Sequence, residues 1–79
     1  MENQYFTNRD LNLCATLTTL GFSIDHVDKS DPRKVVFYFV RTLELERSVE
    51  LYWNDSLNCN PKTLLSNVKA LKGRIYSED

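Results

Sequence analysis

The chain has 79 residues but only two glycines, two prolines, two cysteines and one histidine, and each scarcity removes a class of chemistry. Two glycines leave little for a phosphate cradle. Neither G-x-x-x-x-G-K nor G-x-G-x-x-G occurs, and no nucleophile motif is present, so the sequence reads as non-enzymatic, with no catalytic residue. Cys14 and Cys59 are too few for a disulfide scaffold, although a single Cys14–Cys59 bridge is left open. Without C-x-x-C or H-x-x-x-H spacing, the cysteines and the lone His26 predict no metal site, and no cofactor is implied. Asp25, Asp28 and Asp31 alternate around a loop, yet the glycine and bidentate glutamate of a calcium loop are missing. No run approaches the ~20 apolar residues needed to span a bilayer, and the polar opening Met1-Glu2-Asn3-Gln4 is unlike a signal peptide. A net charge of −1 provides no overall attraction to nucleic acid or membrane. These absences predict a reduced, intracellular, soluble protein.

What is present is the composition of an ordered globule, 42% hydrophobic and 27% charged. The length suits a single domain over 1–79, a size at which a core rarely supplies more than roughly 3–5 kcal/mol net. The chain is organised around Lys34-Val35-Val36-Phe37-Tyr38-Phe39-Val40-Arg41, a β-branched and aromatic run that predicts a strand covered on both faces. Side chains alternate along a strand, so Val35, Phe37 and Phe39 share one face while Val36, Tyr38 and Val40 share the other.

The flanking segments follow in order. Gln4-Tyr5-Phe6 suits a short strand. Thr7-Asn8-Arg9-Asp10 resembles a capping box and predicts a helix from Asn8 to Leu20, with Leu13, Leu17 and Leu20 inward and Cys14 and Ala15 beside them. Gly21 is placed to end it in the left-handed conformation, with Phe22 packing back. Phe22-Ser23-Ile24-Asp25-His26 alternates, with His26 phased toward the buried edge of the sheet, and Val27 breaks the phase as a bulge or a fraying end would. Asp28 to Arg33 forms a polar hairpin loop, in which Pro32, with Lys34 and Arg41, guards the central run against aggregation.

Thr42 caps a second helix with Glu44 and Glu46 at its positive end. Its predicted inward stripe is Leu45, Val49, Tyr52 and Trp53, with Leu51 half exposed, and Leu57 plugs the core from the connector beyond. Asn60-Pro61 starts a third helix, whose stripe of Leu64, Val68, Leu71 and Ile75 carries it past Gly73 to about Tyr76. The predicted fold is a small α+β domain in the order β-α-β-β-α-α, a short antiparallel sheet with its helices packed on one face. Phe37, Phe39, Leu17, Val49, Trp53, Leu64, Val68 and Leu71 are its expected core.

Two surfaces stand out. Helices confined to one side leave Val36, Tyr38 and Val40 as an apolar patch on the open sheet face, unless Tyr5-Phe6 or Ile75-Tyr76 folds over it. Monomers usually avoid such patches, so these three are the candidate partner-binding residues, for a protein partner or a second copy in a homodimer. Lys62, Lys69 and Lys72 fall within an arc of about 80° on the third helix, by its 100° step, with Ser66 and Asn67 close by. They form the alternative, a face that could meet phosphates in DNA or RNA.

A set of motifs runs through the chain: Tyr5-Phe6-Thr7, Leu20-Gly21-Phe22, Lys34-Val35-Val36-Phe37, Tyr52-Trp53-Asn54, Asn60-Pro61-Lys62, and Leu71-Lys72 followed by Arg74-Ile75-Tyr76. Together they resemble a family of short uncharacterised proteins of bacteria, phages and mobile elements, a domain of unknown function. The resemblance covers nearly the whole chain and is carried by structural positions. It implies a cytoplasmic accessory protein encoded by a phage or mobile element, and it transfers no catalytic or binding residue.

Overall fold

A computed structural model describes residues 4–31 and 33–76. The elements are β1 (Tyr5–Asn8), α1 (Leu11–Thr19), β2 (Ile24–Asp28), β3 (Val36–Val40), α2 (Leu43–Trp53) and α3 (Pro61–Ile75). The strands form one antiparallel sheet in the order β1-β3-β2, which puts the apolar run in the middle, where both of its backbone edges are paired. Pro32 lies outside the described residues, and with it the guard role expected of that proline.

The sheet is one-sided. Phe37 and Phe39 are fully buried, and Phe6, Ile24, Val27 and Val35 pack against the same core. Tyr38 and Val36 are half-buried and Val40 is exposed. Opposite Phe39 and Phe37 on β1 stand Phe6 and Asn8, so Tyr5 and Thr7 share the outer face with Tyr38. Phase is lost on β2 between Ile24, which faces Phe39, and His26, which faces Tyr38. This bulge lies just before Val27 and lets both Ile24 and Val27 reach the core. It also turns His26 outward, against the expectation that it points to a buried edge, because one extra residue reverses every side chain beyond it.

The first helix starts later than its sequence suggests. Thr7 is not its cap: it belongs to β1, paired with Tyr38. Asp10 caps instead, its Oδ1 accepting from the backbone N–H groups of Asn12 (2.9 Å) and Leu13 (3.2 Å). A strand through Asn8 leaves no room for helix before Leu11. Gly21 ends α1 at φ 105°, with the Phe22 N–H donating to the Leu17 carbonyl at 3.0 Å and the Gly21 N–H to that of Thr18 at 3.1 Å, the paired bonds of a Schellman close. The same closure recurs after α2, where Ser56 N–H reaches the Leu51 carbonyl (2.9 Å) and Asp55 N–H that of Tyr52 (3.2 Å). There Asp55 takes the left-handed position at φ 57°. Thr42 and Asn60 cap α2 and α3, accepting from Leu45 and Thr63, and α3 continues through Gly73 without a break.

Five consecutive α1 residues, Leu13 to Leu17, are buried. The helix is therefore enclosed rather than striped, packed against both α3 and α2 above the apolar face of the sheet. Its threonines suit this because their hydroxyls are satisfied locally: Thr16 donates to the Asn12 carbonyl (2.8 Å), and Thr18 and Thr19 to that of Ala15 (2.8 and 2.7 Å). The whole domain measures 38 × 35 × 18 Å, a slab two layers thick.

Of the expected core, Phe37, Phe39, Leu17 and Leu71 are buried, and Val49, Leu64 and Val68 pack against them partly covered. Trp53 is not core: it is 61% exposed. It is the last residue of α2 and lies about 80° from Leu45 around the helix, so its ring clears the layer and rests edge-on against Tyr52 at 5.0 Å between centroids.

Candidate interaction surfaces

The outer sheet face carries an aromatic cluster. The His26 ring stacks on Tyr38 at 4.1 Å and 21°, while Tyr5 meets Tyr38 edge-on at 5.8 Å and His26 at 5.4 Å. Tyr38 holds the centre because β3 is the middle strand, opposite Thr7 on one side and His26 on the other. Val36 and Val40 lie along the same strand face, Val40 54% exposed. Tyr5 thus lies against Tyr38, as one expected alternative had it, but Phe6 and Ile75 turn to the core and Tyr76 stands 82% exposed. Among the described residues, no helix crosses this face.

Carboxylates fringe the cluster on its β2 side. Asp25 Oδ2 lies 2.6 Å from His26 Nδ1, an ion pair when the imidazole is protonated. The backbone N–H and hydroxyl of Ser30 hold the Asp28 carboxyl below its usual range, with His26 adding a smaller contribution. Asp31 accepts from the Arg33 N–H at 3.0 Å. The three aspartates of the alternating set therefore serve the histidine and two loop turns. No group of three metal-ligating side chains comes together among the described residues.

Lys62, Lys69 and Lys72 are all exposed on α3. Asn67, expected close to them, is instead drawn inward, its Nδ2 donating to Thr19 Oγ1 at 2.9 Å and tying α3 to α1. The sequence reading missed what stands among the lysines: Leu65, 68% exposed, and Tyr76 beyond. Leu65, Lys69 and Lys72 recur at i, i+4 and i+7, one ridge along the helix. A helical-wheel count of α3 that looked outward as well as inward would have found it.

Two hollows lie at the flanks of α2. One, of about 310 Å³, is lined by Phe6, Val49, Arg41, Glu46 and Glu50. The other, of about 270 Å³, is lined by Thr16, Tyr52, Asp55, Leu57, Cys59 and Leu64; Leu57, expected as a plug, is half-buried there and is not among the residues packed on the core. Both cysteines are free thiols. Burial, reinforced by the nearby Asp10 carboxylate, pushes the Cys14 thiol up from 9.0 to about 12. Burial likewise raises the Tyr52 hydroxyl, with smaller contributions from Asp10 and Asp55. No helix among the described residues is long and apolar enough to cross a membrane.

No curated protein and no solved structure matches the chain. One family does, over residues 3–77: the chain belongs to DUF5659, a domain of unknown function.

Proposed function

We propose that this protein is a non-enzymatic, cytoplasmic interaction module that self-associates through the open face of its sheet. A phage or mobile-element origin is what the motif resemblance implies. The observation that carries the reading is the placement of Tyr38: ringed by Tyr5 and His26, flanked by Val36 and Val40, and left uncovered by the helices on the opposite side. Pairing two such faces about a two-fold axis hides both patches with no further sequence and adds burial to a small core. Because the contact is mainly apolar, it persists at about 0.5 M salt, where surface charges are screened beyond a few ångströms.

Light scattering on the eluting protein at that salt tests it. The expected mass is twice 9.3 kDa, and Tyr38→Glu is expected to halve it and lower the melting temperature. A wild-type protein that remains at one chain's mass up to high concentration would end the reading. The alternative, a nucleic-acid accessory protein acting through Lys62, Lys69 and Lys72, is supported by their shared exposure on α3 and disfavoured by the net charge of −1. It would show as binding to DNA or RNA that weakens with salt, with a log–log slope of magnitude about 2–3 for three contacts.

A further inference from the structure

The charges of the helical side are sorted between two helices. α2 carries Glu44, Glu46 and Glu50 against Arg47 alone. α3 carries Lys62, Lys69, Lys72 and Arg74 with no acidic residue. Each helix also exposes large apolar side chains: Leu43, Leu51 and Trp53 on α2, and Leu65 on α3 with Tyr76 at its end. Apolar side chains exposed singly are ordinary on a protein surface; these stand among charges already sorted by sign.

Glu46 and Glu50 are a like-charged pair one turn apart, an arrangement that costs a helix a few tenths of a kcal/mol. They line a hollow together with Phe6 and Val49. Arg41 lines the same hollow, yet makes no ion pair with either glutamate among the described residues. The site is thus a trough of two apolar and three charged side chains, in which neither carboxylate is ion-paired with the guanidinium that shares it. On α3 the matching arrangement stands in relief: Leu65, Lys69 and Lys72 along one ridge, all exposed.

We infer that the trough between β1 and α2 receives the Leu65–Lys69–Lys72 ridge of α3 from a second copy of this chain. Leu65 covers Phe6 and Val49, and the two ammonium groups meet Glu46 and Glu50. The lysine stems suit such a place, since they lie along apolar surface while their heads reach the carboxylates. Trough and ridge are different patches of one chain, so the contact is either made twice about a two-fold axis or extends head to tail. It lies away from the outer sheet face, is electrostatic where that face is apolar, and does not depend on Tyr38.

Charge exchange tests it. At about 20 mM salt, sedimentation of the wild type is expected to show an association step that disappears near 0.5 M. Glu46→Lys with Glu50→Lys in one protein, and Lys69→Glu with Lys72→Glu in another, are each expected to weaken that step at least about tenfold. An equimolar mixture of the two variants restores it, because every ridge then finds a trough of opposite charge. All four positions are exposed, and circular dichroism checks that the fold survives. The step is also expected to persist in Tyr38→Glu, which separates it from the sheet-face contact. Absence of a salt-sensitive step in the wild type, failure of the mixture to restore it, or its loss in Tyr38→Glu would each overturn the inference. So would Lys69→Glu/Lys72→Glu abolishing oligonucleotide binding while leaving association unchanged.

Discussion

The two cysteines should behave as different reagents, and the difference measures how completely α1 is enclosed. Cys14 is fully buried and its thiol is pushed up from 9.0 to about 12. Cys59 is half-buried and lines a hollow. The thiolate is the reactive species. A shift of three units leaves Cys14, at pH 8, about a thousandth of the thiolate it would have unfolded, before any loss of access is counted. Iodoacetamide should therefore modify Cys59 quickly in native protein, and Cys14 only in molecules that have opened. Cys59→Ser isolates the slow site, and mass spectrometry reads it. Modification of Cys14 in the folded Cys59→Ser protein at a rate within tenfold of an unfolded thiol would refute the enclosure of α1. The shift also has a sign in stability. Because the folded-state value is raised, the native chain holds the proton more tightly, so the contribution is fully present below about pH 9 and is lost as pH rises toward 12. The loss is at most about 1.4 kcal/mol per pH unit, less where water reaches the sulfur. Cys14→Ala should flatten this decline relative to wild type, while the part due to Tyr52, also raised by burial, stays in both proteins.

Phe37→Ala should cost about 3–5 kcal/mol, whereas Val36→Ala, its neighbour on the other face, should cost under about 1 kcal/mol; equal shifts in the urea midpoint would contradict a one-sided sheet. Asp10→Ala should cost about 1 kcal/mol through loss of the cap, and a larger effect from Thr7→Ala on the melting temperature would return the helix start to Thr7. Asp55→Gly should stabilise by roughly 0.5–1 kcal/mol, because φ 57° strains a side chain that glycine lacks; a lowered midpoint would show that the aspartate is held there by something worth more than the strain.

Element order and the faces of β3 were legible because both rest on periodicity. Six consecutive β-branched and aromatic residues admit few alternatives to a central strand, and the leucine spacing of α3 outweighs one glycine. What escaped was set by competition between neighbours. Thr7-Asn8-Arg9-Asp10 holds several capping residues, and pairing of Thr7 with Tyr38 across the sheet chose Asp10 among them. The facing of His26 turned on where a single bulge fell, between Ile24 and His26 and so ahead of the Val27 that betrayed it. Trp53 follows the stripe of α2 in number but stands at the helix end, beyond the layer it was expected to join. The aromatic cluster needed β1 to be placed beside β3 before Tyr5 and Tyr38 could be seen together, and no local pattern carries that information. Leu65 was passed over because an inward stripe draws the eye from its opposite side.

The position of β3 between β1 and β2 bears on how the chain avoids amyloid-like assembly. Val35 to Val40 is the kind of uncharged, β-prone segment that templates cross-β stacking when its edge is bare. Here both its edges are occupied, and the strands that take the outer positions are poor templates: β1 is four residues long, and β2 is bulged, which twists an edge away from flat pairing. The hazard is thus tied to β1, which precedes all three helices and docks onto β3 from a distance of some thirty residues along the chain. A chain proteolytically nicked so as to lose β1 would keep its helices and its apolar face, yet would present one full edge of β3 to every other such chain it met.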